Sequence, residues 1–152
     1  MMSKIVRTQA NFLYPFILIF GFYVVAHGHL TPGGGFQGGA VIATGIALVV
    51  VAYGYDKISR WIKKSRLTAA ESLGLMLFIT TALVGIGTSF FYNFLANSGY
   101  IFGEPVPFGP NPGNLNTAGT LPIMNLAVGI EVMGGLGVIL LYLISYRTEV
   151  GE

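Results

Sequence analysis

His27, His29 and Glu131 are ionisable groups placed within or at the ends of long apolar runs, and any chemistry of this chain must involve them. The two histidines open the stretch His27–Gly39, which holds both histidines of the protein and five glycines between Gly33 and Gly39, with no formally charged side chain. An imidazole titrates near neutrality, so either histidine at a water-facing turn could relay protons. His27-x-His29 could also give two ligands to a metal, with Glu104 as a third; a catalytic zinc needs three protein ligands, so no metal site is assigned. The plainer role for each is to cap a helix end or to bond loop backbone. Glu131 stands alone in its run, with Gly129, Gly134, Gly135 and Gly137 close by. An ionisable group at that depth is costly and faces a bundle interior, a hydrated route or a partner. Transport involvement and a structural pairing with a partner's Lys or Arg are its two readings. No Ser/His/Asp set, carboxylate pair or P-loop can be assembled from the remaining residues.

Gly33-Gly34-Gly35-Phe36-Gln37-Gly38 satisfies the GxGxxG pattern, and Asp56 lies near the distance at which an acid would bind a ribose. The pattern needs a preceding strand and a soluble parallel sheet. Here both flanks are apolar runs long enough to cross a membrane, and Asp56 falls at the far end of the second, which excludes dinucleotide binding.

The elements that position these groups follow from composition. Of 152 residues 53% are hydrophobic and 9% charged, too few charges to cover a soluble domain of this length. The formal charge of +2 gives no footprint for nucleic acid. The absence of cysteine excludes disulfides, thiolate chemistry and iron–sulfur ligation. The expected fold is an all-α membrane protein, one integral domain over 1–152 with four transmembrane helices at approximately 10–27, 38–55, 69–95 and 121–146. The first run follows a basic start and has Pro15 near its beginning, where a missing N–H is tolerated. Ala26-His27-Gly28 would suit signal cleavage, but a second apolar run follows at once and the pair reads as a helical hairpin. In the second run Gly35, Gly39 and Ala43 recur every fourth residue and present a small face to a neighbouring helix. Glu71 is placed in the first turn of the third run, facing the positive end of the helix dipole.

Asp56–Arg66 carries five basic residues and Trp61, and reads as a cytoplasmic anchor; an anionic-lipid site is the competing reading. All eight Lys and Arg lie beside one side of the four runs, which puts the N-terminus and the C-terminus in the cytoplasm. The Gly-rich first outer loop and the long Pro/Gly-rich second outer loop, 96–121, then share the other side. Tyr100, Ile101, Phe102, Val106 and Phe108 mark that second loop as ordered and lying on the spans or on a partner. Pro32, Gly33, Gly34, Gly35, Phe36, Gly38 and Gly39 are expected to form a packed turn sensitive to side-chain bulk.

Gly28-His29 followed by Pro32-Gly33-Gly34-Gly35-Phe36 and Gly38-Gly39 resembles the signature of the B-type (MnhB-like) component of multisubunit Mrp-type sodium/proton antiporters. The same component recurs in archaeal membrane-bound hydrogenases and related sulfur-reducing complexes. The similarity extends over the four-span plan and into Asn125–Val132 of the last helix. Many members of this type carry an aspartate where this chain has Asn125. The resemblance implies a small membrane subunit of a prokaryotic plasma membrane, set in lipid among other membrane subunits, not an enzyme by itself and without a cofactor, in a module that moves sodium ions and protons. Its candidate ion-translocation residues are Glu131, His29, His27 and Asn125. The alternative is a structural subunit that seals partners or lipid and conducts nothing.

Overall fold

The computed structural model describes residues 2–106 and 114–150, with side chains as far as Tyr146. Its elements are α1 (Lys4–His27), α2 (Gly35–Tyr53), the single turn α3 (Tyr55–Ile58), α4 (Lys64–Val84) and α5 (Leu121–Val150). Four of these are long and apolar enough to cross a membrane: α1, α2, α4 and α5 over Leu121–Tyr146. There is no strand among the described residues.

Local sequence sets several boundaries. Ser3 caps α1, its hydroxyl accepting from the Val6 N–H at 3.4 Å. The helix therefore begins well before the apolar run, and Pro15 lies inside it rather than near its start. Lacking an N–H, Pro15 leaves the Asn11 carbonyl without its helical donor. Gly54, at φ +86°, ends α2 and turns the chain into α3. The helix α4 stops at Val84, so Gly85–Leu95 with its aromatic group Phe90-Phe91-Tyr92 forms turns instead of continuing the helix. Glu71 sits two turns inside α4, not in its first turn, which contains no acid.

The helices stand in an open row. α1 packs on α2, α2 on α5 and α5 on α4, while α1 and α4 do not touch. The outer helices α1 and α4 thus keep broad apolar faces uncovered, from Phe12, Phe16 and Phe20 on α1 to Met76 and Leu83 on α4. Such faces suit lipid or neighbouring subunits. The close seams are made by small residues. A Cβ at Gly38 would lie 2.7 Å from the Gly21 carbonyl oxygen of α1, and one at Gly39 would lie 2.7 Å from the Gly129 carbonyl oxygen of α5. Gly35, Gly39 and buried Ala43 form the small face read from their spacing, and the partner of its glycines is α5. At the basic end Ile46, Val50, Ile58, Leu67 and Leu141 close a cluster. Lys64 donates to Ser145 Oγ at 3.0 Å and lies 3.9 Å from the centre of the Tyr142 ring.

The connection between α4 and α5 is bonded internally where it is described. Asn93 Oδ1 accepts from the Thr120 N–H at 2.8 Å while its amide donates to the Ala118 carbonyl at 3.1 Å. The Glu104 N–H donates to the Asn116 carbonyl at 3.0 Å. Phe102 packs inward, whereas Tyr100 and Ile101 are about three-quarters exposed and do not anchor the loop to the helices. Phe108 lies outside the described residues.

Candidate functional site

Glu131 is not alone. Glu71 from α4 and Glu131 from α5 line one groove of about 170 Å³ with Phe36, Val132, Gly135, Leu136 and Ile139. The sequence places Glu71-Ser72-Leu73-Gly74 on α4 and Glu131-Val132-Met133-Gly134 on α5, and the two E-x-x-G segments pack reciprocally. A Cβ at Gly74 would fall 2.6 Å from the Glu131 backbone nitrogen, and one at Gly134 would fall 2.7 Å from the Glu71 backbone nitrogen. Each glycine seats the backbone of the opposite glutamate. Gly135 clears room beside the Glu71 carboxylate, since a Cβ there would lie 3.2 Å from Oε1. The packing of α4 on α5 thus brings a second glutamate to the groove that Glu131 lines. Both side chains are partly buried, and neither has a hydrogen bond or ion pair to another described residue. Ionised carboxylates only accept, so water or a cation in the groove can satisfy them.

Asn125 lies six residues before Glu131 on α5, less than two turns and about 9 Å along the axis. Its amide rests against the glycine turn: Cβ atoms at Gly28 and Gly34 would stand 3.0 Å from Nδ2 and 3.2 Å from Oδ1. Gly33 has φ +138°, a conformation that favours glycine, while Gly34 at φ −169° is ordinary extended backbone. Gly35 is required by contact: its Cβ would strike the Asn125 carbonyl oxygen and lie 2.8 Å from Val128 Cβ. Pro32 is exposed, and Phe36 reaches from the start of α2 to the groove of the two glutamates.

The histidines separate. His27 ends α1, stacks on Tyr23 with ring centres 5.1 Å apart, and has Nδ1 3.5 Å from Thr31 Oγ1. His29 turns the other way, with Nε2 3.1 Å from the Leu115 carbonyl oxygen. A carbonyl only accepts, so Nε2 carries the hydrogen; Nδ1 is buried without a partner among the described residues. His29 thereby ties the glycine-rich turn to the α4–α5 connection, beside an apolar cavity of about 380 Å³ that also includes Phe22, Phe102 and Leu126. Glu104 bonds Asn114 within its own loop. No group of three His, Cys, Asp or Glu side chains gathers as metal ligands among the described residues.

Sequence reasoning singled out Glu131 and missed Glu71. The signal was present as the repeated E-x-x-G in two consecutive apolar runs. An acid read as a helix-end residue hid it.

The family described as "Domain related to MnhB subunit of Na+/H+ antiporter" matches residues 5–145. The chain is 30% identical over 137 residues to the B-type component of the Na(+)/H(+) antiporter of Bacillus subtilis, covering 86% of this chain and 85% of that protein. It is 36% identical over 137 residues to an uncharacterized protein of Methanocaldococcus jannaschii, covering 88% of this chain but 49% of the relative, about half its length. A chain in the structure of the membrane-bound sulfane sulfur reductase, an archaeal respiratory membrane complex, superposes with a TM-score of 0.75 at 33% identity. That match covers 93% of this chain and 58% of the other. With four spanning helices and such relatives, this is a multi-pass protein of a prokaryotic plasma membrane.

Proposed function

The chain belongs to the family of domains related to the MnhB subunit of Na+/H+ antiporters, and from that premise we propose that it is a small membrane subunit of a sodium/proton-translocating module within a respiratory complex such as a membrane-bound hydrogenase. The observation that carries an ion-moving role over a purely sealing one is the Glu71–Glu131 groove, which opens two carboxylates onto one space beside the α4–α5 seam. Two carboxylates on one groove, with no cation bonded to them among the described residues, offer oxygens for which sodium ions and protons can compete, and such competition is the elementary step an antiporter module needs.

The Gly-rich turn positions this route. It fixes the start of α2 against Asn125 and Gly129, and so places Phe36 over the groove. In this reading Asn125 braces the turn, His29 ties it to the outer connection, and His27 stacks on Tyr23 at the end of α1, where the Thr31 hydroxyl donates to the His27 carbonyl; none of the three is assigned to the two glutamates. The subunit supplies a segment of a route and no catalytic group, and its partners are the other membrane subunits of the module. Both termini and the basic α3 region face the cytoplasm, a placement that the distribution of Lys and Arg supports.

The test is sodium-dependent proton movement by the assembled complex in vesicles. Glu131→Gln keeps shape and removes charge, and transport should fall at least tenfold while the companion subunits still copurify. Unimpaired transport with intact assembly would assign the subunit to scaffolding.

A further inference from the structure

A second groove lies at the basic end, away from the two glutamates. It encloses about 370 Å³ between α1, α2 and the α3 connection, and is lined by Asn11, Tyr14, Val49, Ile58, Trp61 and Ile62. Its lining is uncharged and mostly apolar, and cationic residues occur on the same elements. Arg7 precedes Asn11 by one turn on the same face of α1, and its Nε is buried without a hydrogen-bond partner among the described residues. Lys57 Nζ lies 5.0 Å from the centre of the Tyr53 ring, and the Tyr53 hydroxyl donates to Asn11 Oδ1 at 2.6 Å. Arg7 thus stands one turn from Asn11 on α1, and Lys57 sits over the ring whose hydroxyl bonds Asn11, so both cations belong to the elements that form this end of the groove. Arg60 beside them is exposed, and the only carboxylate of this segment is exposed Asp56. Lys64, by contrast, is engaged with Ser145 and Tyr142 on α5. Trp61 is 76% exposed at the rim, the placement of an indole at a membrane–water boundary.

We propose that this groove binds one anionic phospholipid, its acyl chain along Tyr14, Val49, Ile58 and Ile62 and its phosphate between Arg7 and Lys57. Hydrocarbon is what the apolar walls accept. A phosphate oxygen supplies the acceptor that the Arg7 Nε lacks among the described residues, and the Lys57 ammonium adds charge complementarity. Charge alone would attract any anion, whereas groove and rim together require a headgroup joined to a chain.

Trp61 is the only tryptophan of the chain, so its fluorescence reports the groove directly in the purified full-length chain. In detergent micelles, phosphatidylglycerol with brominated acyl chains should quench Trp61 at about a fivefold lower mole fraction than brominated phosphatidylcholine. Arg7→Gln with Lys57→Gln should remove that preference, while Lys63→Gln keeps it. If the double variant does not fold, Lys57→Gln alone should reduce the preference about twofold. Excess inorganic phosphate should not relieve the quenching. Equal quenching by the two lipids, an undiminished preference in the double variant or in Lys57→Gln, or relief by phosphate would each overturn the proposal.

Discussion

Replacing Gly35 with alanine adds one methyl group at the tightest point of the α2–α5 seam. The new Cβ would lie 2.8 Å from Val128 Cβ and 2.9 Å from the Gly129 backbone nitrogen, and closer still to the Asn125 carbonyl oxygen. Optimal carbon–carbon separation is about 3.5–4.0 Å, so the helices must part by roughly 0.7–1.2 Å. The obstacles are backbone and a β-branched stem, which cannot rotate away. Overpacking of this kind costs about 1–3 kcal/mol. Intrinsic helix propensity favours alanine over glycine by about 1 kcal/mol and acts in the opposite direction. Because the nearest obstacles are backbone, the overpacking falls in the upper part of that range, about 2–3 kcal/mol, so the net expectation is a loss of about 1–2 kcal/mol, or a fall in Tm of roughly 2–8 °C for a chain of this size. Thermal unfolding of the purified chain in detergent, followed by circular dichroism, measures it. Gly87→Ala is the control, because a Cβ there meets nothing within 4 Å. If Gly35→Ala melts at or above the parent, or no differently from Gly87→Ala, close approach of α2 and α5 is not what glycine is there to allow.

Gly74→Ala and Gly134→Ala should each weaken the α4–α5 seam by a similar amount, since their Cβ atoms would meet backbone of the opposite helix at 2.6 Å; a double-mutant cycle should give less than the sum, because either change already parts the same two glutamate-bearing segments. Gly34→Ala should cost less than Gly35→Ala in the same melts, with only a 3.2 Å approach to Asn125 Oδ1 to relieve. Asn93→Ala removes two hydrogen bonds that hold the Ala118–Thr120 turn, so hydrogen exchange at Ala118–Thr120 should accelerate at least tenfold while the α2 amides are unaffected.

The four helices were legible because runs of apolar residues have a length, and the length matches a membrane. The small face of α2 was legible as well, from the spacing of Gly35, Gly39 and Ala43. Helix ends were less so: hydropathy cannot see that Ser3 caps a polar first turn, nor that apolar Ile86, Phe90 and Phe91 follow the end of α4 in a series of turns. At the candidate site, sequence reasoning isolated Glu131 from its depth in an apolar run. The partner carboxylate escaped because Glu71 lies sixty positions away on a helix whose start was placed too late. Only the packing of α4 on α5 brings the two E-x-x-G segments together. Likewise the histidines, neighbours in sequence, take unrelated partners because the end of α1 rotates His27 toward Tyr23 and Thr31 and leaves His29 facing Leu115.

The central claim is that Glu71 and Glu131 act as one ion-handling pair. Sodium-driven proton movement by the reconstituted parent complex, compared among Glu71→Gln, Glu131→Gln and the double variant at matched subunit content, tests it most directly. The account predicts that each single change lowers transport at least tenfold and that the double variant falls little further, because either substitution already breaks the pair. Transport at parental levels in Glu71→Gln, with Glu131→Gln alone impaired, would contradict it.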